Sequence, residues 1–150
     1  MLTTLLAVSL GHAADTGHCA ADETTLFSCT VKGDKALSIC QVGGLVDLGV
    51  TGGLQYRFGP KGSPELRFPE DVSDYSVWHY AEQAMATAMS ESLWFDNGGY
   101  RYTVTVMESG GPNSFVGVVV SKGDDTVATL PCVSEATHSF ADIPALIKGS

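Results

Sequence analysis

The four cysteines are the residues whose chemistry can be inferred most directly from this sequence. They stand at positions 19, 29, 40 and 132, an even number without a CxxC pair, and this pattern favours two disulfides over a metal site. Structural disulfides persist in oxidising compartments. The cysteines therefore predict an exported protein.

A hairpin between residues 26 and 42 predicts how two of the cysteines pair. Two β-like runs flank a Lys-Gly-Asp-Lys turn there. If Lys32 lies opposite Leu37, Cys29 lies opposite Cys40, and opposed β carbons about 4.5 to 5.5 Å apart are within reach of a disulfide after a small adjustment. We therefore expect a bond between Cys29 and Cys40.

The two remaining cysteines, Cys19 and Cys132, would then bond to each other. That bond would tie the start of the mature chain to a late strand. Closing so long a loop is worth about 4 to 5 kcal/mol in the chain-entropy model.

Histidines and carboxylates show no pattern of a known catalytic or metal site. His18, His79 and His138 stand singly, and the chain has no EF-hand, phosphate-binding or nucleophile-elbow motif. We therefore expect no cofactor and no metal. A small secreted hydrolase remains the alternative, with His79 acting beside three scattered carboxylates, those of Glu65, Glu70 and Asp96.

Aromatic and arginine side chains are the candidates for a binding surface. Exposed aromatic rings stack on sugars or anchor a protein partner, and arginine is rare in this chain. The candidates are Arg57, Trp78, Trp94, Tyr100 and Arg101. The competing interpretation places the aromatics in the core and pairs the arginines with Glu65 or Asp96 at the surface, each pair worth under about 1 kcal/mol.

Short β-like segments separated by glycine-rich turns must position these side chains. They lie at 26–31, 37–42, 54–58, 65–68, 93–95, 100–107, 115–121 and 126–130. Such spacing predicts a mainly β fold, an antiparallel β-sandwich or small barrel of about eight short strands. Residues 80–92 carry good helix formers between β-like flanks, so one helix near 80–92 packed on the sheet is the alternative.

The first residues predict a leader. An apolar run at 2–10 is followed by small residues, so we expect a signal peptide at 1–13, cleaved after Ala13. An ordinary N-terminal strand is the alternative. Residues 14–150 have the length and apolar content of a single β-rich domain, and no other stretch is apolar enough to span a bilayer. We expect a periplasmic or extracellular protein.

The chain is acidic, with a formal net charge of −9. This charge argues against binding to nucleic acid or an anionic membrane and favours a basic partner. The leading hypothesis is a non-catalytic exported module that binds a protein or a glycan. An inhibitor of a basic hydrolase such as lysozyme is one form, since opposite charges speed association.

Five motifs follow one another along the chain: C-x9-C-x10-C at 19–40, LQYRFG at 54–59, PEL at 64–66, NGGYRYTV at 97–104 and TLPC at 129–132. In this order they resemble a group of small exported, disulfide-bonded bacterial proteins of unknown function. The resemblance implies export, β-structure and disulfides, but no activity. Many members carry a further cysteine near the C-terminus; since this chain lacks it, the resemblance makes Cys19 the partner of Cys132. Members have a strand in place of 80–92.

Overall fold

Two antiparallel sheets packed face to face form the protein. The computed structural model describes residues 17–43, 52–109, 112–143 and 145–148. The predicted leader lies outside these residues. The mainly β fold is confirmed, and of the two arrangements expected the protein adopts the sandwich and not the closed barrel.

Each sheet has five strands within the described ranges. Sheet A has the order β10-β1-β2-β3-β4, and its strands are β1 Thr24–Val31, β2 Lys35–Val42, β3 Gly53–Pro60, β4 Leu66–Phe68 and β10 Thr137–His138. Sheet B has the order β5-β6-β7-β8-β9, and its strands are β5 His79–Ala84, β6 Ala88–Asn97, β7 Tyr100–Ser109, β8 Phe115–Lys122 and β9 Asp125–Pro131. Two 3-10 helices, Tyr75–Val77 and Phe140–Asp142, and helix α1, Ala145–Lys148, complete the described elements.

Helix α1 is four residues long. Across the described ranges, no helix is long and apolar enough to cross a membrane.

The β6–β7 hairpin has a two-residue turn and was expected from the Asn-Gly-Gly sequence. Asn97 pairs with Tyr100, so Gly98 and Gly99 are the two turn residues. Their φ angles are +60° and +84°. Both turn positions therefore have the left-handed conformation that glycine adopts without a steric penalty.

Aromatic rings fill the space between the sheets. Phe95 of β6 is fully buried and stacks on Phe68 and Tyr102, with centroids 4.6 and 5.1 Å away. Its ring also meets Tyr56 and Trp78 edge-on, each at 5.1 Å. Phe95 thus joins sheet A, sheet B and the segment between them.

The alternative prediction of a helix near 80–92 is wrong. Strands β5 and β6 occupy this segment, with Tyr80 opposite Leu93 and Glu82 opposite Glu91. β6 also pairs along its whole length with β7. A helix would forfeit these ladder hydrogen bonds, so tertiary pairing overrides helix propensity.

The expected register of the first hairpin is also wrong. Val31 pairs with Lys35, so the loop is Lys32–Asp34, and Cys29 lies opposite Leu37 and not Cys40. The expected register would have turned Leu37 and Ile39 away from the core. Because side chains alternate between faces, the observed register buries both and moves Cys40 to the outer face of sheet A.

The disulfides follow from this register and correct the expected pairing. Cys40 on the outer face bonds to Cys19, with Cα atoms 5.4 Å apart. Cys29 on the inner face bonds to Cys132, with Cα atoms 5.7 Å apart. Neither expected bond, Cys29 to Cys40 or Cys19 to Cys132, is present.

Cys132 lies where the chain crosses from sheet B to sheet A. Its amide donates to Val116 of β8, whereas the next amide, of Val133, donates to Thr30 of β1. β10 then pairs with β1. The bond to Cys29 therefore joins the two sheets covalently at this crossing.

We predict that non-reducing peptide mapping recovers Cys19 linked to Cys40 and Cys29 linked to Cys132. Replacing Cys29 and Cys132 by alanine should destabilise more than replacing Cys19 and Cys40, because the first bond closes a separation of 103 residues and the second one of 21. Chain entropy alone gives about 4 to 5 and about 3 kcal/mol. A peptide linking Cys29 to Cys40 would contradict the assignment.

We predict that Phe95→Ala lowers the free energy of unfolding by about 3 to 5 kcal/mol, since it removes a ring packed on four others. Chemical denaturation measures the change. Val133→Ala is the matched control, because Val133 is 66% exposed. Equal stabilities of the two variants would refute a central role for Phe95.

Candidate functional site

The outer face of sheet A is covered by the chain itself. Residues 17–23, here called the N-terminal strap, cross this face and are held by the Cys19–Cys40 bond. A β carbon on Gly17 would lie 2.3 Å from the hydroxyls of Ser28 and Ser38. Only glycine lets the strap approach β1 and β2 so closely, and Gly17 also has a φ of +57°.

Arg57 lies beneath the strap. Its guanidinium donates from Nη1 and Nη2 to the two carboxylate oxygens of Glu23, at 2.6 and 2.8 Å. Nη1 also donates to the carbonyl of His18 at 2.9 Å, and Nε donates to Gln55 Oε1 at 2.8 Å. The side chains of Arg57 and Glu23 are only 9% and 8% exposed.

This arrangement corrects two expectations about Arg57. It is not exposed for binding, and it pairs with Glu23 instead of Glu65, which pairs with Lys35 at 3.0 Å. The cause is the strap, which brings a carboxylate from 34 residues away. Hydrogen bonds from Arg57 hold the pKa of Glu23 below its ordinary value, so the pair stays charged.

Trp78 is not available as a surface binding residue either. It is 1% exposed and packs edge-on against Phe95. A ligand at the surface cannot reach its ring. For this residue the competing interpretation, an aromatic in the core, is correct.

Of the three remaining candidates, Trp94 and Arg101 lie on the outer face of sheet B, and Tyr100 begins β7 beside the β6–β7 turn. Leu93 and Phe95 of β6 are buried, whereas Trp94 is half-buried and Asp96 exposed, so Trp94 and Asp96 point outward. The same alternation on β7 turns Arg101 and Thr103 outward. On this outer face, no described side chain of β5, β6, β7 or β9 is buried.

Trp94 lies in a row of paired residues that crosses the whole sheet. The row is His79, Trp94, Thr103, Val119 and Thr129. The imidazole of His79 stacks on the indole with centroids 5.5 Å apart and planes 22° from parallel. In the next row, the hydroxyls of Ser92 and Thr105 are hydrogen-bonded at 2.9 Å. The face thus offers one aromatic platform among small polar side chains.

Arg101 and Asp96 form the cross-strand ion pair that the sequence suggested. Nε and Nη2 of Arg101 donate to the two oxygens of Asp96 at 2.8 and 3.1 Å. Both side chains are more than half exposed. These hydrogen bonds lower the pKa of Asp96 and raise that of Arg101, so both remain charged across the physiological range.

A polar pocket adjoins this pair at the end of sheet B. It measures about 460 Å³ and lies between the β6–β7 and β8–β9 turns, lined by Asp96, Gly99, Arg101, Ser121, Gly123 and Asp124. Tyr100 is 37% exposed, and the ammonium group of Lys122 lies 5.5 Å from its ring centroid. Its ring thus contacts a lysine, whereas the ring of Trp94 stacks on a histidine.

The hydrolase alternative is left without a common site. Glu65 pairs with Lys35 beside sheet A, and Glu70 is exposed after β4. Only Asp96 and His79 share a face of the molecule. Within the described ranges, no three His, Cys, Asp or Glu side chains are placed to hold a metal ion.

A second cleft, about 430 Å³, brings together His138 and Glu108 with Ser114. His138 Nε2 lies 3.7 Å from Glu108 Oε1, and that carboxylate is 74% exposed. A catalytic base normally makes a hydrogen bond of about 2.6 to 3.2 Å. At 3.7 Å these two atoms lie beyond that range.

Sequence reasoning missed Glu23, Ser121 and the pocket role of Asp124. Glu23 had no local signal, since its partner is distant in sequence. Ser121 lies opposite Arg101, a pairing that depends on the β7–β8 register. Asp124 stands in a Lys-Gly-Asp-Asp sequence, which indicates a turn and gives no sign of a pocket.

We predict that the buried Glu23–Arg57 pair makes the free energy of unfolding fall at acidic pH. Because the pKa of Glu23 is lowered on folding, its contribution is complete above the ordinary value of 4.5 and is lost as pH falls through the lower folded value. Glu23→Gln should cost about 3 kcal/mol or more near pH 7, since Arg57 stays buried without a countercharge, and should flatten the loss of stability below pH 4.5.

Denaturant unfolding at a series of pH values measures this effect. Asp96→Asn is the control, because its ion pair is exposed and worth under about 1 kcal/mol. Parallel pH profiles for the wild type and Glu23→Gln would contradict the prediction.

No protein-family model, curated protein or solved structure matches this chain. Any assignment of function must therefore be argued from the fold and the surface chemistry of this chain.

Proposed function

We propose that this chain is an exported, non-catalytic module that binds a protein or a glycan through the outer face of sheet B. The observation that carries the proposal is the outward Trp94, stacked on His79 beside the Asp96–Arg101 pair. Tryptophan and arginine are among the side chains that most often dominate binding energy. Here they occupy one face.

The two sheets differ in a way that supports this choice of face. On sheet A, Arg57 and Gln55 are buried beneath the strap and hydrogen-bonded within the chain. On sheet B, Asp96 and Arg101 are exposed, and Trp94 keeps part of its ring accessible. The outer face of sheet B therefore leaves its tryptophan and its ion pair open to a partner, whereas the strap covers Arg57 on sheet A.

Export is part of the proposal. Two disulfides support it, since such bonds persist outside the reducing cytosol. The apolar run at the start of the sequence and the resemblance to exported bacterial proteins point the same way. The net charge of −9 would attract a basic partner, and an inhibitor of a basic hydrolase is the protein-binding form of the hypothesis.

Binding to two kinds of probe tests the proposal: an immobilised basic lysozyme and a panel of oligosaccharides. We expect at least one probe to bind, and Trp94→Ala to weaken that binding about tenfold or more, about 1.4 kcal/mol, through loss of the aromatic contact. Val133→Ala should leave the affinity unchanged. Val133 is exposed and lies between β9 and β10.

Thermal melting of each variant separates lost binding from lost folding. Trp94→Phe keeps an aromatic ring and should retain part of the affinity. Binding that survives Trp94→Ala in a folded protein would rule out this face as the site.

A further inference from the structure

Trp94 and the polar pocket lie next to each other on one surface. Asp96 follows Trp94 by two residues on β6, so their Cα atoms are about 6 to 7 Å apart. Thr103 lies opposite Trp94, and Arg101 lies opposite Asp96. The partly exposed Trp94, with His79 stacked on its ring, therefore lies beside a hydrogen-bonding pocket of about 460 Å³ on the same face.

The groups in the pocket suit hydroxyls better than charges. Asp96 and Asp124 supply carboxylate acceptors, Arg101 supplies donors, and Ser121 supplies a hydroxyl that does both. An anionic ligand would be repelled by both carboxylates, and a cation would meet the Arg101 guanidinium beside Asp96. A hydroxyl can donate to the carboxylates and accept from the guanidinium. Because it carries no charge, its binding does not require the ligand to bring an ion out of water.

The Asp96–Arg101 pair is also pre-organised for a neutral ligand. Arg101 uses Nε and Nη2 to hold Asp96. Its Nη1 has no hydrogen-bond partner in the described part of the chain and is available to a sugar oxygen. Because each charge is compensated by the other, a ligand need not neutralise either one.

We propose, on the basis of the proposed function, that this surface binds an uncharged glycan. One pyranose ring stacks through its C–H face on Trp94, and the next places its hydroxyls among Asp96, Arg101 and Ser121. Aromatic rings provide a broad apolar contact at low entropic cost, and a few polar groups set the orientation. The Asp-Arg pair is the specificity element.

The test compares purified wild-type protein and variants against neutral, cationic and anionic oligosaccharides by titration calorimetry. Suitable neutral probes are gluco-, manno- and N-acetylglucosamine hexasaccharides, with chitosan and polygalacturonate oligomers as charged ones. We expect a neutral probe to bind best. Its affinity should change less than about twofold between about 50 and 500 mM salt, because no net charge is exchanged.

Two variants and one matched control locate the site. Trp94→Ala and Arg101→Gln should each weaken binding about tenfold or more. Lys35→Ala removes an exposed ion pair of the same kind on sheet A, with Glu65 at 3.0 Å, and should leave the affinity unchanged. Melting temperatures confirm that each variant is folded.

Each remaining outcome overturns a defined part of the proposal. If no neutral probe binds but a basic lysozyme does, with a Trp94-dependent and salt-sensitive affinity, the glycan is wrong and the binding face survives. Tighter binding of a charged oligosaccharide would also refute the uncharged ligand. If neither class of probe shows Trp94-dependent binding, the proposed function fails as well.

Discussion

The register of β1 against β2 is the constraint on which the rest of this structure depends. It places Cys29 on the inner face and Cys40 on the outer face of sheet A. From the inner face, one disulfide joins the two sheets; from the outer face, the other holds the strap. A register shifted by an odd number of residues would put both cysteines on the same face, and these two connections could not both form.

The strap makes the two outer faces of the sandwich different. Over sheet A, it buries Arg57 and satisfies the guanidinium with Glu23 and the His18 carbonyl. Such a pair costs desolvation free energy and is tolerated because almost every donor has a partner. Sheet B has an arginine-carboxylate pair of similar geometry, but Arg101 and Asp96 remain in solvent. The same chemistry is structural on one face and available on the other.

The aromatic residues divide in the same way. Phe95, Trp78 and Tyr56 fill the space between the sheets, where burial of large rings stabilises a fold with little helical structure. Trp94, the immediate neighbour of Phe95, points to the opposite side. Alternation along a single strand therefore separates a buried residue of the core from a partly exposed one on the outer face.

The sequence by itself determined the mainly β class, most strand positions, the β6–β7 turn and the Asp96–Arg101 pair, because period-2 patterns, turn residues and facing pairs are local signals. It left open whether the sheets form a sandwich or a barrel. It did not determine the disulfide partners or the burial of Arg57 and Trp78. Nor did it decide between helix and strand at 80–92. Those outcomes depend on register and on contacts between distant segments, such as Glu23 with Arg57, and only tertiary packing decides which face of a strand is covered.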